Sequence, residues 1–184
     1  MPFTETIFPG LLIFEPVVLK DSRGYFFESF NTKTFHHKGI GESFVQDNQS
    51  YSVYGTIRGL HYQLNPYAQS KLVRVLVGEI LDVVVDIRKG SPTYGDIFSI
   101  QLSAENKKQL FVPRGFAHGF SVRSATAEVL YKCDNYYSKE SEAGIVYNDS
   151  SLAIDWKIPS DKIIVSEKDI QLSTFPNARN NFEF

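Results

Sequence analysis

Residues 56–63, TIRGLHYQ, place a single histidine, His61, in a segment with the composition of a β-strand. Such a histidine can bind a metal ion, move a proton, or serve only as a hydrogen-bonding strand residue. Strict alternation along the strand predicts that His61 and Gln63 share one face and that Arg58 lies on the other as a surface charge. Because Gly59 follows Arg58, we favour a β-bulge that turns Arg58 towards the face of His61.

A second segment, FVPRGFAHGF at residues 111–120, bears on the metal hypothesis. Its Pro113, Gly115 and His118 follow the order P-x-G-x-x-H, which resembles the second sequence motif of the cupin jelly rolls. In metal-binding cupins the first motif supplies two histidines at H-x-H spacing, because alternate strand residues reach one ion inside the barrel. Here the second of those positions is Gln63, and an amide is a poor ligand for such a site, so we expect no metal.

Proton transfer is the chemistry that remains for His61, since an imidazole that titrates near neutral pH suits a general base. A base needs a carboxylate that orients it and an acid that returns a proton. The candidate carboxylates are Asp82, Asp86 and Asp169, and Tyr131, in the strand-like segment AEVLYKC, is the leading candidate acid. Residue types alone do not choose among these partners, and they leave a purely structural His61 open.

The composition restricts the class of partner. The 184 residues carry 19 basic and 21 acidic side chains, a formal charge of -2, and neither sign forms a long block. We therefore expect a small-molecule partner, and neither nucleic acid nor a membrane. Cys133 is the only cysteine, so no intramolecular disulfide can form and a reducing cytoplasm fits best. No stretch reaches the roughly 18 apolar residues of a membrane span, and the N-terminus lacks a signal-peptide pattern.

The pattern of elements predicts one mainly β domain over residues 1–184. Residues 70–102 contain β-branched runs broken at Gly78 and again at KGSPTYG, which is typical of a strand meander. Further short runs between Gly, Pro, Asn or Ser turns predict a double-sheet barrel, the jelly roll that the cupin-like motif also favours. Helical periodicity is limited to residues 31–39 and 166–173, so we expect only a few short helices.

Several segments, taken in order, resemble the dTDP-4-dehydrorhamnose 3,5-epimerases, a metal-independent branch of the cupin superfamily. They include DSRGYFFESF, FVQDNQSYSVYGTIRGLHYQ, VLYKCDNYYSKESEAGI and VSEKD. The resemblance runs from residue 3 to residue 176 and leaves the tail NARNNFEF without a role. It implies an isomerase, independent of cofactors, that inverts C3 and C5 of a dTDP-linked 4-keto-6-deoxy sugar through enolate intermediates, giving dTDP-4-dehydro-L-rhamnose.

The same resemblance assigns catalytic roles. It implies that His61 is the base and that Asp169, in VSEKD, is the carboxylate that fixes its tautomer. By the same resemblance, Lys71 stabilises the charge that collects on O4 of the enolate, and Tyr131 is the acid on the opposite face of the sugar. Asp82 stands between apolar residues and is costly to bury unpaired, so we expect it to meet a cation or the histidine in the cavity, behind the residues that contact substrate.

Substrate contacts carry over from the family in the same way. Arg23, Phe26 and Glu28 match an RGxFxE segment that, in the family, reaches into the site of a neighbouring subunit, which implies a homodimer. The other matched positions are polar or aromatic residues expected to face the nucleotide sugar; they are Gln46, Asn48, Arg58, His118, Tyr137, Glu142 and Lys168. Among them, Tyr137 matches an aromatic residue that stacks on the base.

Other functions stay open at the level of sequence. A 3-only or 5-only epimerase, or a ketoisomerase, acts on a related nucleotide sugar with a similar residue set. A non-catalytic sugar-binding cupin binds the ligand without exchanging its protons, and only the proton-transfer residues separate it from an enzyme. A metal-dependent dioxygenase is disfavoured by Gln63.

Overall fold

A computed structural model describes residues 2–41 and 43–184, and within them it contains thirteen strands and two short α-helices. The strands are β1 (Phe3–Glu5), β2 (Leu12–Phe14), β3 (Leu19–Asp21), β4 (Gly24–Phe26), β5 (Gln46–Val53), β6 (Ile57–Gln63), β7 (Lys71–Val77), β8 (Glu79–Asp86), β9 (Ile97–Ser103), β10 (Gln109–Val112), β11 (Phe116–Val122), β12 (Thr126–Cys133) and β13 (Glu142–Gly144). The helices are α1 (Thr32–His37) and α2 (Glu167–Ile170), with short 3₁₀ helices at Ser160–Lys162 and Phe175–Asn177. The mainly β prediction is confirmed, and both helices lie within the segments predicted for them.

The strands form two sheets and one separate hairpin. One sheet has the order β1-β2-β10-β7-β12-β5, and the other has the order β13-β6-β11-β8-β9. Neighbouring strands are antiparallel throughout, and β3 and β4 form the hairpin. This double-sheet, cupin-like architecture is the one predicted from strand spacing and from the P-x-G-x-x-H motif.

The main core lies between the two sheets. Val75 on β7 and Leu110 on β10 share one buried cluster with Val84 on β8, which belongs to the opposite sheet. Val83 points the other way and joins a second buried cluster. Because β8 is covered on both faces, seven of its eight residues are buried and five are apolar, as expected for a central strand.

The second cluster covers the outer face of the five-stranded sheet. The chain that follows β13 crosses this face and contributes Leu152, Trp156 and Phe182. The indole Nε1 of Trp156 donates a hydrogen bond of 2.8 Å to the carbonyl of Tyr147, so its polar atom is satisfied. Phe182 belongs to the C-terminal tail, which therefore has a packing role that the sequence did not indicate.

Helix α1 covers part of the outer face of the six-stranded sheet. Its N-cap, Asn31, accepts a hydrogen bond from the backbone N–H of Lys33. Phe35 is the buried residue of this helix, and it packs in a cluster with Leu72 of β7 and Phe111 of β10. Among the described residues, no helix is long and apolar enough to cross a membrane.

Candidate active site

Strand β6 departs from strict alternation just before His61. On β11, His118 faces His61 and Phe120 faces Arg58, so three residue steps along β6 match two steps along β11. Gly59 lies within this irregularity, and its φ of +112° falls in the region that favours glycine. The predicted bulge is therefore confirmed, strict alternation is wrong at this point, and Arg58 lines the same cavity as His61.

Gly59 is also required by the space around it. A Cβ at this position would lie 2.6 Å from the Cα of Gly119 and 2.6 Å from the carbonyl oxygen of His118. The backbone N–H of Gly59 donates a hydrogen bond of 3.1 Å to Oδ2 of Asp169. The bulge thus allows β6 to approach β11 closely and gives Asp169 a backbone donor.

His61 is paired with Asp169 from the C-terminal part of the chain. Nε2 of His61 lies 2.8 Å from Oδ1 of Asp169, which is 4% exposed. Helix α2 holds this carboxylate in place, because its N-cap Ser166 accepts a hydrogen bond of 3.1 Å from the backbone N–H of Asp169. Burial raises the pKa of Asp169, but the interactions with His61, the N–H of Gly59 and Ser166 outweigh burial and hold the pKa below its ordinary value.

An ionised Asp169 determines which nitrogen of His61 carries the proton. A carboxylate only accepts hydrogen bonds, so the 2.8 Å contact places the proton on Nε2. In the neutral imidazole, Nδ1 then has the free lone pair and is the basic atom. Of the three candidate carboxylates the structure thus pairs Asp169 with the histidine, whereas Asp82 and Asp86 bind other residues.

His61 lines two cavities. The smaller, of about 130 Å³, brings together candidate residues from both sheets and from the segment before β13; they are Gln46, Asn48, Lys71, Tyr131, Tyr137 and Glu142. The larger, of about 560 Å³, is lined by His61 together with three further charged candidates; they are Arg58, Lys168 and Asp169.

Lys71 and Tyr131 lie on the sheet opposite the one that carries His61. They belong to the neighbouring strands β7 and β12, and the Nζ of Lys71 is 5.7 Å from the centroid of the Tyr131 ring. Burial lowers the pKa of Lys71, although the carboxylates of Asp82 and Glu142 oppose this effect. Burial raises the pKa of Tyr131, so its phenol stays protonated over a wide pH range. The imidazole and the phenol therefore stand on opposite walls of the smaller cavity.

His118 and Asp82 form a second pair of histidine and carboxylate. Nε2 of His118 lies 3.0 Å and 2.9 Å from the two carboxylate oxygens of Asp82, and both side chains are buried. Asp82 therefore meets a histidine, but this histidine is His118 rather than His61. His118 faces His61 across the β11–β6 ladder and lines neither of the two cavities. Within residues 2–41 and 43–184, no group of three or more His, Cys, Asp or Glu side chains is arranged to hold a metal ion.

Glu142 connects residues of the two cavities. Its Oε2 accepts a hydrogen bond of 3.0 Å from the hydroxyl of Tyr137, and its Oε1 lies 2.6 Å from Nζ of Lys168. Burial raises the pKa of Glu142, but the hydrogen bonds from Lys168 and Tyr137 outweigh it and hold the pKa below its ordinary value. Glu142 is thus an ionised acceptor between an aromatic ring and an ammonium group.

The candidates of the RGxFxE segment lie apart from both cavities of their own chain. Arg23 pairs with Asp21 at 2.7 Å, and Phe26 is 71% exposed. Neither of these residues, nor Glu28, lines the cavities beside the histidine. Within a single chain, the predicted contacts of the RGxFxE segment therefore lie apart from the candidate residues around His61.

Sequence reasoning missed two polar residues of the site. Oγ of Ser52 accepts a hydrogen bond of 3.0 Å from Nε of Arg58 and so orients the guanidinium group. Gln69 lines the smaller cavity, and its amide donates a hydrogen bond of 2.7 Å to the carbonyl of Asn135. Neither carries a local signal, because Ser52 meets Arg58 only through the approach of two sheets and Gln69 lies in an irregular loop.

The fold and these side chains define a class of protein. In a cupin-like double-sheet barrel, one wall carries His61 with the ionised Asp169, and the other wall carries Lys71 and Tyr131. A base, a cation for a developing oxyanion, and an acid on the opposite wall are the groups that inversion of a carbon beside a carbonyl requires. The arrangement is therefore that of a cupin-like isomerase that works by acid–base chemistry.

Comparison with known proteins identifies the family. The family model described as dTDP-4-dehydrorhamnose 3,5-epimerase matches residues 5–177, and the chain belongs to this family. The dTDP-4-dehydrorhamnose 3,5-epimerase of Shigella flexneri is 54% identical over 179 residues, which are 97% of this chain and 98% of that protein. The family resemblance found in the sequence is thus confirmed.

Solved structures agree with this assignment. The crystal structure of dTDP-4-dehydrorhamnose 3,5-epimerase from Elizabethkingia anophelis has a TM-score of 0.92 at 51% identity and covers 95% of this chain and 96% of its own. A dTDP-6-deoxy-D-glucose-3,5-epimerase from Legionella pneumophila, solved in complex with dTDP-4-keto-L-rhamnose, has a TM-score of 0.91 at 48% identity, over 95% of this chain and 93% of its own.

Proposed function

We propose that the chain is a 3,5-epimerase of dTDP-4-dehydro-6-deoxy-D-glucose, inverting C3 and C5 to give dTDP-4-dehydro-L-rhamnose. The observation that carries this proposal is the placement of the His61–Asp169 pair opposite Lys71 and Tyr131 around one cavity. The Legionella pneumophila relative, solved with dTDP-4-keto-L-rhamnose, supports the choice of sugar. In this proposal, residues 1–184 act as one epimerase domain.

The reaction begins with removal of a proton beside the C4 carbonyl. Nδ1 of His61 takes the proton from the carbon, and the carboxylate of Asp169 stabilises the imidazolium that forms. The electron pair of the broken C–H bond moves towards the carbonyl and leaves negative charge on O4. Lys71 stabilises this enolate, and it does so strongly because a partly buried site has a low effective dielectric. The chain needs no cofactor for these steps.

Tyr131 completes each inversion from the opposite wall. Its phenol donates a proton to the enolate carbon on the face that points away from His61. Burial keeps this phenol protonated, because its pKa lies above the ordinary value. One proton thus passes from the sugar to His61 and another from Tyr131 to the sugar, and both side chains return to their starting states by exchange with water. The same cycle serves C3 and C5, since both carbons flank the carbonyl.

The remaining polar residues hold the substrate. Arg58 and Lys168 provide positive charge in the larger cavity, which suits the diphosphate. Tyr137 is 56% exposed and offers its ring for stacking on thymine. The smaller cavity adds hydrogen-bonding groups for the sugar; they are Gln46, Asn48 and Glu142.

The proposed assembly is a homodimer in which each chain completes the site of its neighbour. Arg23 and Phe26 lie on the exposed β3–β4 turn and strand and line no cavity that contains His61. Leu19 and Tyr25 of the same hairpin are 62% and 59% exposed, so the hairpin presents apolar side chains that a second copy of the chain would cover. Glu28 follows directly and reaches the neighbour with it.

The proposed location is the cytoplasm. Cys133 is a free and buried thiol, which suits a reducing compartment. The partner is a small nucleotide sugar, and the balanced charge of the chain favours neither nucleic acid nor a membrane surface.

The test of this function is incubation of the purified protein with dTDP-4-keto-6-deoxyglucose in deuterated water, followed by NMR of the sugar. Deuterium at C3 and C5 together with inversion at both carbons supports the proposal. Inversion at one carbon only identifies a 3-only or 5-only epimerase, movement of the carbonyl identifies a ketoisomerase, and binding without exchange identifies a sugar-binding protein. The same reaction after dialysis against a strong chelator should keep its rate, and activity that returns only with a divalent ion contradicts the proposal.

A further inference from the structure

Gln63 lies beside the smaller cavity, but its amide binds the backbone of two neighbouring loops. The side chain is 5% exposed and stands two residues after His61 on β6. Its Nε2 donates hydrogen bonds of 2.7 Å to the carbonyl of Tyr67 and 3.1 Å to the carbonyl of Tyr136. Its Oε1 accepts a hydrogen bond of 2.7 Å from the N–H of Ser138. Both donor hydrogens and the acceptor oxygen are therefore in use.

Two of these three bonds enclose Tyr137 in the sequence. One holds the carbonyl of the preceding residue, and the other holds the N–H of the following residue. The hydroxyl of Tyr137 is held separately by Glu142 at 3.0 Å, and its backbone N–H donates to Oε1 of Gln46 at 3.3 Å. Tyr137 as a whole residue remains 56% exposed. Gln63 thus fixes the peptide groups on both sides of an exposed aromatic ring.

We propose that Gln63 is a positioning residue for nucleotide binding, which holds the backbone around Tyr137 and so presents that ring to the thymine base of dTDP. This inference rests on the proposed function. Residues 134–138 lie outside the regular strands, and side-chain hydrogen bonds hold the peptide groups on both sides of Tyr137. A ring that is already fixed before binding loses less conformational entropy when the base stacks on it.

The same side chain connects the Tyr137 segment to the strand that carries His61. Gln63 and His61 are both on β6 with the same orientation, so His61 and the Tyr137 segment share a rigid support. At the position where a metal-binding cupin has its second histidine, this chain thus uses an amide to bind backbone groups.

The loop keeps other anchors when Gln63 is replaced. Oδ1 of Asp134 accepts a hydrogen bond of 2.6 Å from the N–H of Ser70, and Nδ2 of Asn135 donates one of 3.3 Å to the carbonyl of Pro66. These bonds hold the start of the segment but not the peptide groups on either side of Tyr137. A variant at Gln63 should therefore fold, with its effect limited to the Tyr137 part of this loop and to the carbonyl of Tyr67, which also loses a donor.

The first test compares dTDP affinity and turnover in Gln63→Met, which keeps the side-chain length and removes all three hydrogen bonds. We expect the Kd for dTDP and the KM for the sugar nucleotide to rise about tenfold, as for loss of an aromatic stack, while kcat changes less than about threefold. Gln63→Glu keeps the acceptor for Ser138 but turns a carboxylate oxygen towards the carbonyls of Tyr67 and Tyr136, so it should raise the Kd at least as much and serves as the second variant. Asn106→Ala is the matched control, because Asn106 also binds three backbone groups, at the remote β9–β10 turn.

The second test asks whether Gln63 acts through Tyr137. Tyr137→Ala should weaken dTDP binding, and adding Gln63→Met to it should change the Kd less than about twofold, because the ring that Gln63 positions is gone. An equal effect of Gln63→Met with and without the ring, or no effect of either substitution on the Kd, overturns the proposal. Proton exchange by the wild-type protein is measured in parallel, so a loss of the positioning role is distinguished from a failure of the proposed epimerase function.

Discussion

At the level of single residues, the candidate site is built around one histidine, His61, whose tautomer is set by a carboxylate far away in the sequence. Asp169 is 108 residues away from His61, yet it lies at 2.8 Å and is ionised because three neighbours bind it. The pair makes Nδ1 the basic atom, while burial keeps Tyr131 protonated and lowers the pKa of Lys71. The groups proposed as base, acid and cation are thus adjusted by their separate environments.

Replacement of the base should stop both proton exchange and inversion. His61→Asn keeps a polar group of similar size but cannot accept the α-proton, so deuterium exchange and epimerisation should fall together by about 10² to 10⁴. NMR of the sugar in deuterated water measures both. His37→Asn is the control, since His37 is exposed at the end of α1 and should be replaceable without loss. Exchange at the wild-type rate in His61→Asn means that His61 has only a structural role.

Replacement of the acid should separate exchange from inversion. Tyr131→Phe removes the phenol but leaves proton removal by His61 and the enolate stabilised by Lys71. We expect this variant to incorporate deuterium while inverting the sugar poorly, because the protonated histidine or solvent returns the proton to the original face. NMR quantifies deuterium content and configuration in one experiment, with Tyr54→Phe as a control outside the two cavities. Unimpaired inversion in Tyr131→Phe assigns the acid to another group.

The lowered pKa of Lys71 predicts the alkaline limit of activity. An ammonium stabilises the enolate and a neutral amine does not, so kcat/KM should decline as the pH rises through a pKa below the ordinary value of 10.5. Tyr131 does not cause this decline, because its pKa is raised. Lys71→Arg keeps its charge to much higher pH. We expect this variant to be slower than the wild type and to lack the alkaline decline in kcat/KM. An unchanged limb in Lys71→Arg means that a different group titrates.

At the scale of elements, the bulge in β6 assembles the site. It places Arg58 and His61 beside the same cavity, and it directs the N–H of Gly59 to Asp169. The four-residue helix α2 supplies the carboxylate, since its N-cap Ser166 fixes the backbone of Asp169. Two short irregular elements therefore join regions of the chain that regular strands alone would leave apart.

A side chain at the bulge should disrupt it. In Gly59→Ala the Cβ would lie 2.6 Å from two backbone atoms at a φ of +112°, so we expect the free energy of unfolding to fall by more than about 2 kcal/mol and turnover to be lost. Gly90→Ala is the matched control, because Gly90 also has a positive φ, of +83°, but no atom lies within 4 Å of an added Cβ. Its cost should be about 1 kcal/mol, with normal turnover. Urea denaturation and a turnover assay measure the two effects, and equal losses contradict a role for the close approach.

At the level of the whole molecule, the described chain brings most of the candidate site residues around the two cavities, but the β3–β4 hairpin and Glu28 lie away from them. The two sheets and the segment after β13 bring ten of the candidates around two cavities; they are Gln46, Asn48, Arg58, His61, Lys71, Tyr131, Tyr137, Glu142, Lys168 and Asp169. The β3–β4 hairpin and Glu28 stay away from these cavities, with Phe26 and Leu19 exposed. This separation is the physical reason for the proposed dimer.

The dimer predicts complementation between two inactive variants. The purified protein should sediment as a dimer at micromolar concentration, and Arg23→Ala and His61→Asn should each be strongly impaired. Mixed dimers contain one site with both residues intact, so an equal mixture after subunit exchange should recover activity in about a quarter of the sites. Arg123→Ala replaces the first variant as a control, because Arg123 lines neither cavity, and alone it should be active. A fully active monomer, or a mixture without recovery, contradicts the shared site.

The local features of this protein could be predicted from its residues alone. Alternating and β-branched runs predicted a mainly β fold in two sheets, and short helical periodicities located α1 and α2. These patterns can be recognised in the sequence because each depends on residues that are only a few positions apart. Ordered motifs identified the family, and the glycine beside Arg58 was a sufficient local signal for the bulge.

Which distant groups meet could be read only from the folded chain. It paired Asp169 with His61 and Asp82 with His118, although residue types left three carboxylates open for the first histidine. It also showed that the amide of Gln63 binds loop backbone on both sides of Tyr137. Such contacts depend on how two sheets, a short helix and irregular loops approach one another. Local periodicity carries no information about that approach, because residues far apart in sequence meet only when the chain packs.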